Sequence, residues 1–369
     1  MAALDRRIIY HFDWTLFSLA LALCAVGILS VFSATWTGKY HGIDPLVMRQ
    51  LVWVGVGVAV MATAAIVDYR ALGTYAYAFY MLAVALLIVV AVAGHSTGGS
   101  RRWINLGVFN LEPSEIAKIA VVLVMVRYLR DEPPKGGWNL LHMIVPAILL
   151  AIPTILVLKQ PDLGTALILI LISGTLMFVG GLNWRMLVIL LLGAVLVAPV
   201  GWHYLKPYQR GRLVSFLNPQ SDPLGTGYHI IQSEIAIGSG GAWGKGFLKG
   251  TQARLNFLPE QTTDFIFAVF AEEFGFFGSI VLLGLYSALI ARGAWIARHA
   301  RDRFGTLLAI GFTGIVFWQV AINIGMATGM LPVVGITLPL VSYGGSSLIA
   351  MMAAMGVLIS INARRYLFQ

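Results

Sequence analysis

The side chains best placed to do chemistry are a few ionisable groups set among long apolar runs. The stretch from His203 to Asp264 carries Lys206, Arg210, Arg212, Lys245, Lys249 and Arg254, with glycine clusters at 238–241 (GSGG) and 244–246 (GKG). It ends in NFLPEQTTDFIFAVFAEEFG, so Asp264 stands where the chain turns back into apolar sequence. A carboxylate there can simply begin a helix or can act as a base, and the residues alone leave both readings open. As a first-turn residue, Asp264 is expected to be held ionised by the helix dipole. Glu272 and Glu273 fall roughly 12 Å further along the same helix and on other faces, so they are expected to pair with neighbouring helices.

Three shorter stretches supply partners. In LEPSEIAK, Pro113 and Ser114 open a helix and put Glu115 and Lys118 three apart, on one face. They are either an interfacial ion pair or a substrate contact. Arg101 and Arg102, in the preceding TGGSRRW, fall on the same side, a grouping suited to pyrophosphate. KQPDLGTA places Lys159 and Asp162 at a turn, where Asp162 is a helix cap or a metal or acceptor contact. No second carboxylate adjoins Asp162, so a metal there would need ligands from other loops. LPVVGITLPLVSYGGSS, residues 331–347, offers Ser342, Tyr343 and Ser346 beside irregular backbone, which at membrane depth suits a cavity wall better than a tight turn.

The elements that position these groups follow from composition. The 369 residues are 59% hydrophobic and 11% charged, and the mean hydropathy is +0.83. Apolar runs recur at about 14–34, 48–67, 75–94, 114–130, 141–158, 163–181, 184–203, 264–291, 304–327 and 342–362, each long enough to cross a bilayer. The expected fold is an all-α polytopic membrane protein of about ten transmembrane helices, one domain over 1–369. Pro146 and Pro153 are expected to kink the fifth span and Pro199 to bend the end of the seventh. The first run is too long for a signal peptide and reads as a retained span. Cys24, the one cysteine, excludes an intrachain disulfide.

Short connections rich in Arg and Lys fall on one side, among them Arg6, Arg7, Arg70, Arg127, Arg130, Arg298, Arg301, Arg303, Arg364 and Arg365. By the positive-inside rule both termini are cytoplasmic, and one large extracytoplasmic loop, about 204–263, lies between spans seven and eight. The net charge of +9 is spread over membrane-flanking turns, which fits anionic lipid head groups rather than nucleic acid.

The segments RRWINLG, PSEIAK, KQPDLGTA, PLGTGYHIIQSEIAIGSGGAWGKGF, LNFLPEQTTDFIFAVFAEEFG and LPVVGITLPLVSYGGSS resemble, in order and over essentially the whole chain, those of the SEDS (shape, elongation, division, sporulation) family. The wording of IIQSEIAIGSGG and KGTQARLNFLPE is nearer the RodA-like elongation branch than the FtsW-like division branch. Thr262 stands where the family usually has His, and Glu112 where it usually has Gln.

The resemblance implies a bacterial inner-membrane peptidoglycan glycosyltransferase that polymerises lipid II. It implies a class B penicillin-binding protein and the elongation machinery as partners. Asp264 would be the essential loop aspartate, acting as general base, with Glu115, Lys118 and Asp162 as polar cavity residues. Arg101, Lys159, Arg210, Lys245 and Ser342 complete the expected substrate contacts. A divalent cation, Mg or Mn, is implied by the family and not by ligand spacing. A lipid II flippase and a non-catalytic scaffold are the competing readings.

Overall fold

The computed structural model describes residues 11–36, 44–97, 100–105, 107, 110–131, 138, 140–186, 188–189, 192–193, 196, 199, 203, 207–221, 225–255 and 257–365. Its apolar helices are α1 (Trp14–Thr35), α2 (Pro45–Ile66), α3 (Tyr69–Ala93), α4 (Pro113–Leu129), α5 (Ile144–Lys159) and α6 (Leu163–Val179). After them come α7 (Pro207–Leu217), α8 (Thr226–Gly240), the short α9 (Thr251–Arg254), α10 (Ile266–His299), α11 (Arg303–Ala327) and α12 (Gly345–Arg364). Six of these, α1, α2, α3, α10, α11 and α12, are long and apolar enough to cross a membrane. The chain is therefore a multi-pass membrane protein, and exposed side chains such as Val92, Ile155 and Val281 have lipid as their natural solvent. Most of the seventh expected span, 184–203, lies outside the described residues.

Aspartates start many of these helices. Asp13, Asp44, Asp68, Asp162 and Asp302 cap α1, α2, α3, α6 and α11, each accepting a backbone N–H of the first turn. Glycines set the closest packing. A methyl at Gly356 of α12 would lie 2.3 Å from the Met61 carbonyl of α2, so the two backbones meet as small-residue interfaces allow.

Four expectations change. A small antiparallel sheet, β1 (His95–Thr97), β2 (Ser100–Asn105) and β3 (Asn110–Leu111), follows α3, so the fold is not purely helical. The stretch read as one long loop contains α7, α8 and α9, and GSGG runs off the end of α8. Pro146 falls in the first turn of α5, where its missing N–H costs nothing; only Pro153 is interior. Finally, α10 begins at Ile266, after Asp264.

That helix is also interrupted. Gly275 has φ 65° and ψ −161°, and the 241–246 segment supplies the hydrogen bonds the break exposes. Lys245 and Gly246 donate N–H to the carbonyls of Glu272 and Glu273 at 3.0 and 2.9 Å. Phe276 and Phe277 donate to Gly241 and Ala242 at 2.9 and 3.1 Å. Gly244, at φ +78°, would bring a methyl to 2.0 Å from the Glu273 carbonyl. The glycines thus serve close backbone approach, which no other residue permits here.

Candidate functional site

Three consecutive carbonyls hold the Asp264 segment in place. The Thr262 carbonyl accepts from Tyr343 N–H at 2.8 Å, Thr263 from the Ser342 hydroxyl at 2.6 Å, and Asp264 from the Asn323 amide at 2.9 Å. Ser342 Oγ in turn accepts from Leu338 N–H at 2.8 Å. Asn323 also donates to the Ile336 carbonyl at 2.7 Å. The 333–343 strip is therefore a cradle for the aspartate's backbone, which leaves its carboxylate to the neighbouring groups. Gly335, at φ +73°, roofs it: a methyl there would sit 3.2 Å from Asp264 Oδ2.

The same strip gathers charge from elsewhere. Arg212 of α7 donates to the Val333 carbonyl at 3.2 Å. Gly164, in the first turn of α6, packs so closely that a methyl would meet the Val334 carbonyl at 2.8 Å. Asp162 caps that turn through Thr165 N–H at 3.0 Å. It also lies 3.9 Å from Arg102 of β2, whose guanidinium donates to the Pro161 carbonyl. Burial pushes the Asp264 carboxyl up to about 6, with Glu260 and Asp162 adding to the rise and Arg212 and Arg102 opposing it. The expectation of a dipole-stabilised carboxylate is thus overturned: the group precedes the helix, and desolvation outweighs the nearby cations.

A second group adjoins it. Glu115 and Lys118, both buried, form an ion pair at 2.8 Å. Glu112 caps this region, its N–H donating to Ser346 Oγ at 3.1 Å and its carboxyl accepting from Ser114 at 3.1 Å. Burial first, then the charges of Glu115 and Asp162, push Glu112 up to about 8, against Lys118 and Arg102. The direction of the shift favours the neutral form of Glu112. Glu112 is tied to Ser346 and the Asp264 segment to Ser342 and Tyr343, so the two groups share the 342–346 stretch and form one polar face.

Other expected contacts lie elsewhere. Lys245 is engaged by Glu272 at 2.7 Å and by the Thr251 hydroxyl at 2.8 Å. Glu272 also accepts from Thr251 N–H at 2.7 Å, and Glu273 binds the Ser33 hydroxyl of α1. Arg210 donates to the His203 carbonyl at 2.7 Å, within its own segment. Lys159 is exposed at the end of α5, and the Arg101 side chain lies outside the described residues. Among the described residues no three His, Cys, Asp or Glu side chains gather to hold a metal ion, so the protein alone offers no complete donor set for a divalent cation there. On sequence Arg212 is only one of the basic residues of 203–264, and Asn323 and Gly335 are not among the candidates. The available signal for Asn323 is an amide near the end of an apolar span.

The polar face and Arg292 mark opposite ends of α10, with 26 steps from Ile266 to Arg292 along a helix broken at Gly275. Arg292 binds Asp13 at 3.0 Å, and Asn362 binds the same carboxylate at 3.0 Å.

Residues 11–367 match the family model described as cell cycle protein, FTSW_RODA_SPOVE. The chain belongs to this family. It is 44% identical, over 96% of its length and 94% of the relative's, to the peptidoglycan glycosyltransferase MrdB of Escherichia coli strain K12. A solved structure described as structural coordination of polymerization and crosslinking by a peptidoglycan synthase complex is similar at a TM-score of 0.82 and 37% identity, covering 96% of this chain and 98% of that one. The crystal structure of the Thermus thermophilus rod shape determining protein RodA is similar at 0.71 and 33% identity, covering 96% and 98%. Within the FTSW_RODA_SPOVE family this chain carries Thr262 and Glu112 in the two groups just described.

Proposed function

We propose that this family member is a peptidoglycan glycosyltransferase that polymerises lipid II into glycan strands during cell elongation, with Asp264 as its general base. The observation that carries this reading is a carboxylate raised to about 6, anchored through three successive carbonyls and flanked by arginines. Such a group is mostly ionised at neutral pH yet more basic than an ordinary aspartate, as efficient proton removal requires.

In the proposed step the 4-hydroxyl oxygen of the acceptor sugar attacks the donor's anomeric carbon. Asp264 takes the hydroxyl proton as the new C–O bond forms. The bond to undecaprenyl pyrophosphate breaks with inversion, and the leaving pyrophosphate carries off the negative charge. Arg102 and Arg212 are assigned to stabilising that charge, with Asp162 fixing the orientation of Arg102 and the buried Glu115–Lys118 pair and Glu112 shaping the cavity beside them. Arg101, Lys159 and Arg210 remain candidates for substrate contact further out. Lys245, already held by Glu272, is assigned to bracing the loop, and Ser342 to holding the Thr263 backbone.

The proposed topology is a single domain over 1–369 with ten spans, cytoplasmic termini and the polar face outward, within the bacterial inner membrane. Its supports are the basic turns at the Asp13 end and the 204–263 segment at the other. A class B penicillin-binding protein is the proposed partner, supported by likeness to a complex described as coordinating polymerization with crosslinking. The flippase reading expects polar groups along a path across the bilayer; here the Asp264 face lies at one end of α10 and the Asp13–Arg292 pair at the other. Purified protein with partner and lipid II tests the proposal: glycan product supports it, and substrate movement without product overturns it.

A further inference from the structure

At the Asp13 end of the bundle, far from Asp264, a cavity of about 460 Å³ opens between the start of α3, the end of α4 and the start of α11. That volume is within the range of about 300–1,000 Å³ usual for small-ligand sites. Arg70, Arg127, Arg130 and Arg303 line it, against the carboxylates of Asp131 and Asp302, so positive charge is in excess by two. Three of the four arginines are partly engaged. Arg70 lies 3.4 Å from Asp302, Arg130 lies 3.6 Å from Asp131, and Arg303 donates to the carbonyls of Leu129 and Gly180 at 3.2 and 2.7 Å. Arg127, in the last turn of α4, makes no hydrogen bond or ion pair among the described residues, and it is only partly exposed.

We propose that this cavity binds a phosphate ester, with Arg127 as its free fork and the Arg70 and Arg303 side chains as its walls. A guanidinium presents paired N–H donors that match two phosphate oxygens, and the Thr74 hydroxyl at the rim can supply one more. A carboxylate ligand fits less well, because its two oxygens lie in one plane, whereas the tetrahedral oxygens of a phosphate can meet donors placed on three helices. Two sources carry this chemistry: the head group of an anionic phospholipid in the adjoining leaflet, and a soluble phosphate from the aqueous side. Either occupant would tie the end of α4 to the start of α11. Those helices carry Lys118 and Asn323 to the polar face at their other ends.

The test uses the purified full-length protein. Native mass spectrometry reads retention of phosphatidylglycerol against phosphatidylcholine, and a thermal shift reads binding of inorganic phosphate. The expected result is preferential retention of phosphatidylglycerol or stabilisation by phosphate, weakened about tenfold in Arg127→Gln and restored only in part by Arg127→Lys, which keeps the charge and loses the fork. Retained lipid that millimolar phosphate does not displace assigns the lipid source; stabilisation by phosphate without lipid preference assigns the soluble one. The proposal is overturned if neither ligand binds, if Arg127→Gln binds as the unaltered protein does, or if Arg298→Gln, exposed outside the cavity, lowers binding equally. Should Arg127→Gln fail to fold, Thr74→Val serves instead and is expected to weaken the same binding.

Discussion

Asn323 grips the main chain of Asp264, donating at 2.9 Å to its carbonyl and at 2.7 Å to that of Ile336. One amide group thus fastens the aspartate's segment to the strip that roofs it. Asn323→Leu leaves both carbonyls without that donor, at about 1–3 kcal/mol each where they are buried. The expected outcome is a lower melting temperature together with a fall in kcat of about tenfold or more, KM for lipid II changing little. A parallel rise in KM would mean that Asn323 shapes substrate binding instead.

Asp264→Asn keeps the shape of the side chain and removes the base. Polymerisation is expected to drop by about 10²- to 10⁴-fold. Stability should move the other way. Burial raises this carboxyl from 3.8 to about 6 in the folded chain, so its contribution to folding is favourable below 3.8 and fades as pH rises through 6. At pH 8 the neutral amide should therefore melt no lower than the native protein, and preferably higher. An inactive variant that is also clearly less stable would point to a structural role.

The same raised carboxyl gives the reaction a pH signature. Only ionised Asp264 can accept the hydroxyl proton, so kcat/KM should fall as pH drops through about 6 and level off above about 7. An ordinary aspartate would hold the plateau down to about 5. A profile measured with lipid II that stays flat below pH 5.5 would sink the assignment.

Much of the architecture was legible beforehand because lipid imposes a length. The first span was read at 14–34 and the helix runs Trp14–Thr35; the ninth was read at 304–327 and runs Arg303–Ala327. Asp162 and the Glu115–Lys118 pair were also placed by local rules, since caps and i,i+3 neighbours are set by the adjacent backbone. The sheet at 95–111 escaped notice because strands of two to six residues are too short to show alternation. The partners of Asp264 escaped for another reason. Asn323, Gly335 and Ser342 lie roughly 60 to 80 positions away, and only the folded backbone decides that a hydroxyl binds a carbonyl instead of facing a cavity.

Lys245 separates two roles that share one charge. Its ammonium sits 2.7 Å from Glu272, whose side chain is fully buried. Lys245→Met is expected to cost about 1–3 kcal/mol by stranding that carboxylate, lowering the melting temperature while KM for lipid II stays put. Restored stability in the double variant Lys245→Met, Glu272→Gln would complete the case. A KM effect that survives the double change would return Lys245 to the substrate.

The interruption at Gly275 has a mechanical consequence. Because residues 241–246 are hydrogen bonded to both sides of it, they act as a splint: the turns that follow Asp264 and the long remainder of α10 are fastened to one strap and are expected to shift together. The break thus bends the helix without making it a loose joint.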